Sequence, residues 1–307
     1  MELPPHDDAL AAFERARPRL FGIAYRMLGS AAEAEDIVQE TWVRWQTADR
    51  SAVRDAQAFL ATAATRLAIN AAQSARARRE TYVGPWLPEP VDTSADPALG
   101  AERGEALELA VLRLLEQLPP RERAAYVLRE AFDYPYPQIA SVLQVGEANT
   151  RQIVTRARRH LAEARPAPVS NAEHRRLLAA FIAAAQQGDL AALERLFVDD
   201  IVSYSDGNGR AGVARLPVVG RELVARFVAN IATRQWAAVQ FTWVEANGQA
   251  GLLITGGEPP VVFATISASA QGIEQLLWVV GEEKLGAMMA ALGGSDGPPS
   301  ASEPLRS

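Results

Sequence analysis

Apolar residues recur at helical spacing over most of the chain as far as Phe197, and beyond it runs in which they alternate or cluster predominate. Met1 to Arg79 reads as helical. Ser30 opens one helix, with Glu33 three residues on in the pattern of a capping box. Behind it Ile37, Val38, Thr41, Trp42 and Trp45 form an apolar stripe, and both tryptophans are expected in the core. A further helix is predicted over about 56–79, with Phe59, Leu60, Ala63, Leu67 and Ile69 on its buried side. Between Arg103 and Arg165 the spacing predicts three or four more helices. Leu107, Val111, Leu114, Leu115 and Leu118 share one face, and Pro119-Pro120 stops it.

From Ala172 the pattern changes. Helices are predicted over Ala172–Gln187 and Asp189–Phe197. Strand-like runs follow at Ile201–Tyr204, Gly212–Leu216, Gln240–Ala246, Gly251–Thr255, Val261–Ser269 and Gly272–Val280, with a helix inserted over Gly220–Ala232. Asn247-Gly248 is a hairpin signal. Helices followed by a curled antiparallel sheet predict an α+β domain.

Two proline-rich stretches, Val83–Gly100 and Ala164–Asn171, lack donors for a helix and read as linkers. The tail from Gly293 is disordered by composition. The expected organisation is 1–80, a linker over 81–104, 105–165, 170–292 and a tail over 293–307.

Composition narrows the chemistry. The chain has no cysteine, and His6, His160 and His174 are far apart, so neither a disulfide framework nor a metal site is expected. The start MELPPHDDAL has no basic n-region and no apolar h-region, and no apolar run reaches membrane-spanning length. A soluble, cytoplasmic protein without a cofactor is expected.

The formal charge is −6, yet Thr150–Leu161 carries Arg151, Arg156, Arg158 and Arg159 and no acid. Ile139, Val142 and Leu143 are the inner face of a short helix opened by Pro137, and Val145-Gly146 is a turn. A second helix from Glu147 to about Ala164 turns Ile153, Val154, Ala157 and Leu161 inward. That leaves Asn149, Arg151, Gln152, Thr155, Arg156, Arg158 and Arg159 outside. This is the pattern of a helix-turn-helix whose second helix fits a DNA major groove, with arginine for guanine, asparagine or glutamine for adenine, and further arginines for phosphates. A solvated basic helix is the other reading of this segment alone.

The stretch LPPRERAAYVLREAFDYPYPQIASVLQVGEANTRQIVTRARRHL resembles region 4 of bacterial sigma factors, and LFGIAYRMLGSAAEAEDIVQETWVRW resembles region 2. With no regions 1 or 3 between them, the chain resembles the extracytoplasmic-function class. Its linker YVGPWLPEP matches the SigJ-like subgroup, which carries a SnoaL-like domain after region 4. The resemblance implies a multidomain chain: an all-α region 2 bundle, an all-α region 4 helix-turn-helix and an α+β SnoaL/NTF2-like cone. It implies promoter recognition and transcription initiation as part of RNA polymerase.

By that resemblance, Asp36, Gln39 and Glu40 dock on the β′ clamp helices, an acidic stripe meeting a basic coiled coil, and region 4 rests on the β flap. Arg66, Asn70 and Gln73 lie near the bases of the melted −10 element, and Arg76, Arg78 and Arg79 hold phosphates. For Arg78 and Arg79 a favourable place at a helix C-terminus is the alternative. Asn149, Arg151, Gln152, Thr155, Arg156, Arg158 and Arg159 are assigned to the −35 element. Gln144 stands where relatives often have a turn glycine, and Gly146 at the N-cap where they have serine.

Regulation in cis is the family reading of the last domain. The linker residues Trp86, Leu87, Pro88, Glu89 and Pro90 are its expected target. The motif DGGGK stands here as Asp206, Gly207, Asn208, Gly209 and Arg210. NPDKL survives as Glu283, Lys284 and Leu285 without its Asn-Pro start, and Lys284 is the chain's only lysine. Asp206, Arg210, Glu283 and Lys284 are expected to pin the linker and the two sigma regions in a compact state. Two alternatives come from other classes. One is a DNA-binding regulator that never engages polymerase, against which the acidic helix argues. The other is a regulator fused to a ligand-sensing domain or to a cyclase or isomerase, with Asp199, Asp200, Asp206 or Glu245 as the acid and Trp236, Phe241, Trp243, Phe263 and Trp278 around a cavity.

Overall fold

The computed structural model describes residues 5–79, 81–94, 107–164 and 168–294; the domain boundaries near 80, 104 and 165 lie outside them, as does the expected tail beyond Gly294, Gly293 and Gly294 themselves ending the last helix. The first helical unit contains α1 (Pro5–Leu28), α2 (Ala31–Thr47) and α3 (Ala56–Arg79). Ser30 sits in extended backbone at the N-cap of α2, where its Oγ accepts from Glu33 N. Trp45 is buried and donates from Nε1 to Ala9 O at 3.0 Å. Trp42 is half-buried, its ring 4.8 Å from that of Phe13.

The buried stripe of α3 differs from the expectation. Leu60, Ala61, Ala64, Ala68, Ile69 and Ala72 are buried, whereas Phe59, Ala63 and Leu67 are half-buried. Small side chains at i, i+4 let the backbone of α3 approach α1 closely, and the larger ones fall at the flanks.

The second helical unit has α4 (Leu109–Leu115), α5 (Pro120–Tyr126), one widened π turn over Val127–Ala131, α6 (Tyr136–Leu143) and α7 (Glu147–Ala164). Pro120 and Pro137 stand in first turns, where a missing N–H costs nothing. Gln144 closes α6 in the left-handed conformation at φ 55°, without the glycine usual at such a cap.

In the C-terminal unit, α8 (Asn171–Gln187) and α9 (Leu190–Leu196) precede β1 (Phe197–Asp206), β2 (Val218–Val219) and α10 (Arg221–Gln235). Then come β3 (Gln240–Ala246), β4 (Gln249–Thr255), β5 (Val261–Ser269), β6 (Gly272–Val280) and α11 (Glu282–Gly294). The sheet order is β2-β1-β6-β5-β4-β3. Two expectations are corrected. Gly212–Leu216 is a run of turns, with Gly212 at φ +80°, and the short strand forms after Pro217 instead. The sheet is mixed rather than wholly antiparallel, because β1 runs parallel to β6. The long return through α10 and three further strands brings the chain back to β1 in that direction, which local patterning does not encode.

Strand alternation gives the sheet two apolar faces. Leu276 and Trp278 turn to the face covered by α8 and α10, with Phe181, Phe197 and Val228. Leu277 and Val279 turn to the other face, with Leu253 and Phe263, and there the linker's Leu87, α4's Leu109 and Ala110, and α11's Leu285 complete the cluster. A separate core runs continuously through both helical units, from Phe13, Leu20 and Ile23 to Leu128, Ile139 and Val154. Among the described residues no helix is long and apolar enough to cross a membrane.

Candidate functional site

The linker is the part on which all three units converge. Asp206, at the end of β1, is 1% exposed although it is a carboxylate. Its Oδ2 accepts from Leu87 N and from Lys284 Nζ, each at 2.6 Å, and its Oδ1 accepts from the Tyr82 hydroxyl. Lys284 donates a second bond to Leu87 O, also at 2.6 Å. The backbone of Leu87 is thus held at both N–H and C=O by an ion pair from two elements of the C-terminal unit. Burial pushes the Lys284 ammonium down, against the attraction of Asp206. Burial and the Asp206 carboxylate together push the Tyr82 hydroxyl well above the usual phenol value.

Trp86 lies between two cations: Arg79 Cζ is 3.4 Å and Lys284 Nζ 4.4 Å from its ring. The ring also packs on Gly29, where a side chain would collide with it. Glu89 is a helix cap supplied from a distance. Its carboxylate accepts from Ala31 N at 2.7 Å and Ser30 Oγ at 2.9 Å, at the N-terminus of α2. Pro88 and Pro90 are buried along the same path. Further on, Asp92 pairs with Ala246 as an extra rung on the β3 edge.

Asn247, in the β3–β4 turn, is 2% exposed and completes the junction. Its Nδ2 donates to Tyr25 Oη at 2.7 Å and Leu107 O at 3.0 Å, while Oδ1 accepts from Val91 N at 3.1 Å. In the sequence Asn247 reads only as a turn residue and Glu89 only as linker. A buried asparagine beside a tyrosine-bearing helix has no signature in one dimension.

The expected motif residues divide. Asn208 and Gly209 take positive φ, 45° and 75°, and Gly209 allows Val83 to approach. Gly207 packs on Val213, and Leu285 is fully buried in the outer-face cluster. Arg210 and Glu283 are exposed at the rim of a cleft beside Tyr82, and neither hydrogen-bonds to the described part of the linker. The expectation that they pin it is corrected; burial concentrates that role in Asp206 and Lys284.

Asp36, Gln39 and Glu40 are together on the exposed face of α2, with Glu40 accepting from Arg44 Nε at 3.1 Å. On α7, Asn149, Arg151, Gln152, Thr155, Arg156, Arg158 and Arg159 are all exposed. Arg156 pairs with Glu122 at 3.0 Å and Arg158 with Glu130 at 2.6 Å, so intramolecular carboxylates stand beside this face. On α3, Asn70 and Gln73 are exposed. Arg66 donates from Nε to Val142 O and from Nη2 to Ser141 O, each at 3.0 Å, and so caps α6. Arg79 is ion-paired with Glu116, donates to Leu28 O and covers Trp86. In this conformation Arg66 and Arg79 bond to the protein itself. The side chains of Arg76 and Arg78 lie outside the described residues.

Comparison with known proteins decides the family. The Sigma-70 region 2 model matches residues 12–78, and the Sigma-70, region 4 model matches residues 108–161. The ECF RNA polymerase sigma factor SigJ of Mycobacterium tuberculosis is 37% identical over 257 residues, 80% of this chain and 81% of SigJ. This chain belongs to the extracytoplasmic-function RNA polymerase sigma factors. A second protein of that species, "Probable ECF RNA polymerase sigma factor SigI", is 32% identical over 94% of this chain and 99% of its own. The crystal structure of M. tuberculosis SigJ superposes with a TM-score of 0.73 at 31% identity, over 90% of this chain and 98% of that one. As a sigma factor the protein acts in promoter recognition and transcription initiation, binding core RNA polymerase and promoter DNA.

The sigma factor's C-terminal domain, α+β like the fold expected for it, also holds a small cavity of about 60 Å³. Trp236 and Trp278 line it, but Phe263 belongs to the opposite face and Trp243 is 38% exposed under Arg175. Asp199, Asp200 and Glu245 are exposed, and Asp206 faces the linker. The four acids considered for general acid–base work therefore stand outside this cavity.

Proposed function

We propose that this sigma factor is held in a compact, promoter-incompetent form by its own C-terminal domain, and that binding to core polymerase exchanges those contacts for new ones. The protein works by displacement in the cytoplasm, without covalent chemistry. One observation carries the reading: the Asp206–Lys284 pair grips the linker while a single core unites regions 2 and 4. Reading two promoter elements at once requires those regions to stand apart. The compact form is therefore the state that polymerase must open, and the contact energy sets how easily it does so.

In the open form Asp36, Gln39 and Glu40 face the β′ clamp helices, and region 4 meets the β flap. Arg66 and Arg79, released from Val142 and Glu116, join Asn70, Gln73, Arg76 and Arg78 along the −10 strand. The α7 face reads the −35 element.

Fluorescence transfer tests the opening. The chain has no cysteine, so exposed Glu14 and Glu163 can each be replaced by cysteine and labelled cleanly. Transfer is expected to be high in the free protein and to fall on addition of core polymerase. Unchanged transfer in a complex that forms and initiates transcription would mean that the compact arrangement is not the off state.

The DNA face makes a second prediction. Arg151→Ala with Arg156→Ala is expected to weaken −35 binding by roughly tenfold or more, since each phosphate or base contact contributes about 1–3 kcal/mol. The slope of log affinity against log salt should flatten by about one for each phosphate that is no longer neutralised. An unchanged slope and affinity would move the interface off α7.

A further inference from the structure

A groove of about 500 Å³ opens where linker, region 4 and C-terminal domain meet. That volume is in the range of small-molecule sites. Pro85 and Trp86 supply the linker wall, Arg113 the region 4 wall, and Tyr204 and Arg215 the C-terminal wall.

Arg113 is chemically out of place in the protein's own terms. Its guanidinium stacks over Tyr204, with Cζ 4.1 Å from the ring, and Nη2 donates to the neutral Gln275 Oε1 at 3.3 Å. Its Nε is buried with no hydrogen-bond partner. Burial also pushes the Arg113 guanidinium down. The more buried cations of this junction have carboxylates: Lys284 has Asp206, while Arg79 and Arg123 share Glu116. Among the described residues no carboxylate pairs with Arg113. A half-buried guanidinium whose partners are all neutral is poorly compensated, and an anion delivered from outside is the remedy that the surroundings allow.

The groove is built for one. Arg215 places a second guanidinium at the rim, bonded only weakly, at 3.4 Å, to Gly209 O. Among the described residues no acid lines the groove. Apart from Gln117, the remaining side chains of the wall are apolar: Pro85, Trp86, Pro217 and Leu216, which is 77% exposed. A planar guanidinium held against an aromatic ring presents a flat, bidentate edge that suits a carboxylate.

We propose that this groove binds a small organic anion, a carboxylate on a flat apolar body, which bridges linker, region 4 and C-terminal domain. Such a ligand touches all three only while the protein is compact, so it holds the sigma factor off polymerase. This effect on polymerase rests on the compact form being the inactive one; binding itself does not.

The full-length protein titrated with 2-naphthoate, followed by calorimetry, tests the site. Saturable one-to-one binding is expected, with inorganic phosphate at least tenfold weaker. Arg215→Glu, an exposed change that leaves the core untouched, should weaken naphthoate at least tenfold, and Arg113→Met should do the same. If Arg113→Met does not fold, Arg215→Glu alone decides. At ten times its dissociation constant, naphthoate should weaken core polymerase binding by about 11-fold. No saturable binding, binding indifferent to Arg215→Glu, or phosphate as strong as naphthoate would each overturn the proposal. Binding that obeys the arginine variants but leaves core affinity unchanged supports the site and overturns instead the reading of the compact form as inactive.

Discussion

Asp206→Ala is expected to free the linker, lower the first unfolding transition by roughly 10 °C and strengthen core polymerase binding at least tenfold. The reason is the buried ammonium left behind. Lys284 is 14% exposed at its side chain and Asp206 1%, so the pair is shielded from water and salt. Removing one partner of such a pair costs on the order of 3–5 kcal/mol, because the survivor stays buried and unpaired. In a protein of this size each kcal/mol corresponds to about 2–4 °C. All of that destabilisation falls on the compact state if the open state exposes both groups. Every 1.4 kcal/mol removed from the compact state translates into about a tenfold gain in apparent affinity for core. Joint replacement, Asp206→Asn with Lys284→Met, should cost less than the sum of the single changes, with a coupling on the order of 1–3 kcal/mol. Calorimetry and core-binding titrations on the four proteins of that cycle measure both effects. Additive losses, or melting changes with unaltered core affinity, would separate the clasp from regulation.

The other large effect is expected at Asn247. Asn247→Ala removes the partner of Tyr25 Oη, Leu107 O and Val91 N at once. Each buried polar group left unsatisfied costs about 1–3 kcal/mol. Alanine must also hold φ 56°, which costs about 1–2 kcal/mol more. The total is expected to reach several kcal/mol, visible as earlier denaturation and faster hydrogen exchange in the linker at 83–94 and the hairpin at 240–255. Asn247→Gly separates the causes: it relieves the backbone but does not restore the hydrogen bonds, so it should be milder than alanine by about 1 kcal/mol. Wild-type exchange in the alanine variant would show that the hairpin does not anchor the linker.

Much of the architecture is legible in the residues. Ser30 marks the start of α2, Pro119-Pro120 separates α4 from α5, and Val261–Ser269 and Gly272–Val280 form strands with those bounds. Such features are local: a hydroxyl at a cap, a ring without an N–H, or β-branched runs show in a few neighbouring letters. The α3 stripe is harder, because alanine is small enough to face either way and only the approach of α1 buries Ala64 and Ala68. The parallel β1–β6 pair and the failed Gly212–Leu216 strand are also tertiary outcomes. They depend on where a distant strand returns.

The candidate site divides along the same line. Asp206, Lys284 and Trp86 stand out in the chain as an acid in a glycine turn, a lone lysine and a tryptophan among prolines. The sequence thus carries the resemblance to the sigma family, the exposed arginine face of α7 and the linker motif. The partners of those residues come from folding. Glu89 reaches back to α2, Arg66 caps α6, and among the described residues no carboxylate pairs with Arg113. Those facts belong to the tertiary structure, because the energy of a buried charge depends on what packs around it across the fold, and chain order carries no record of that distance.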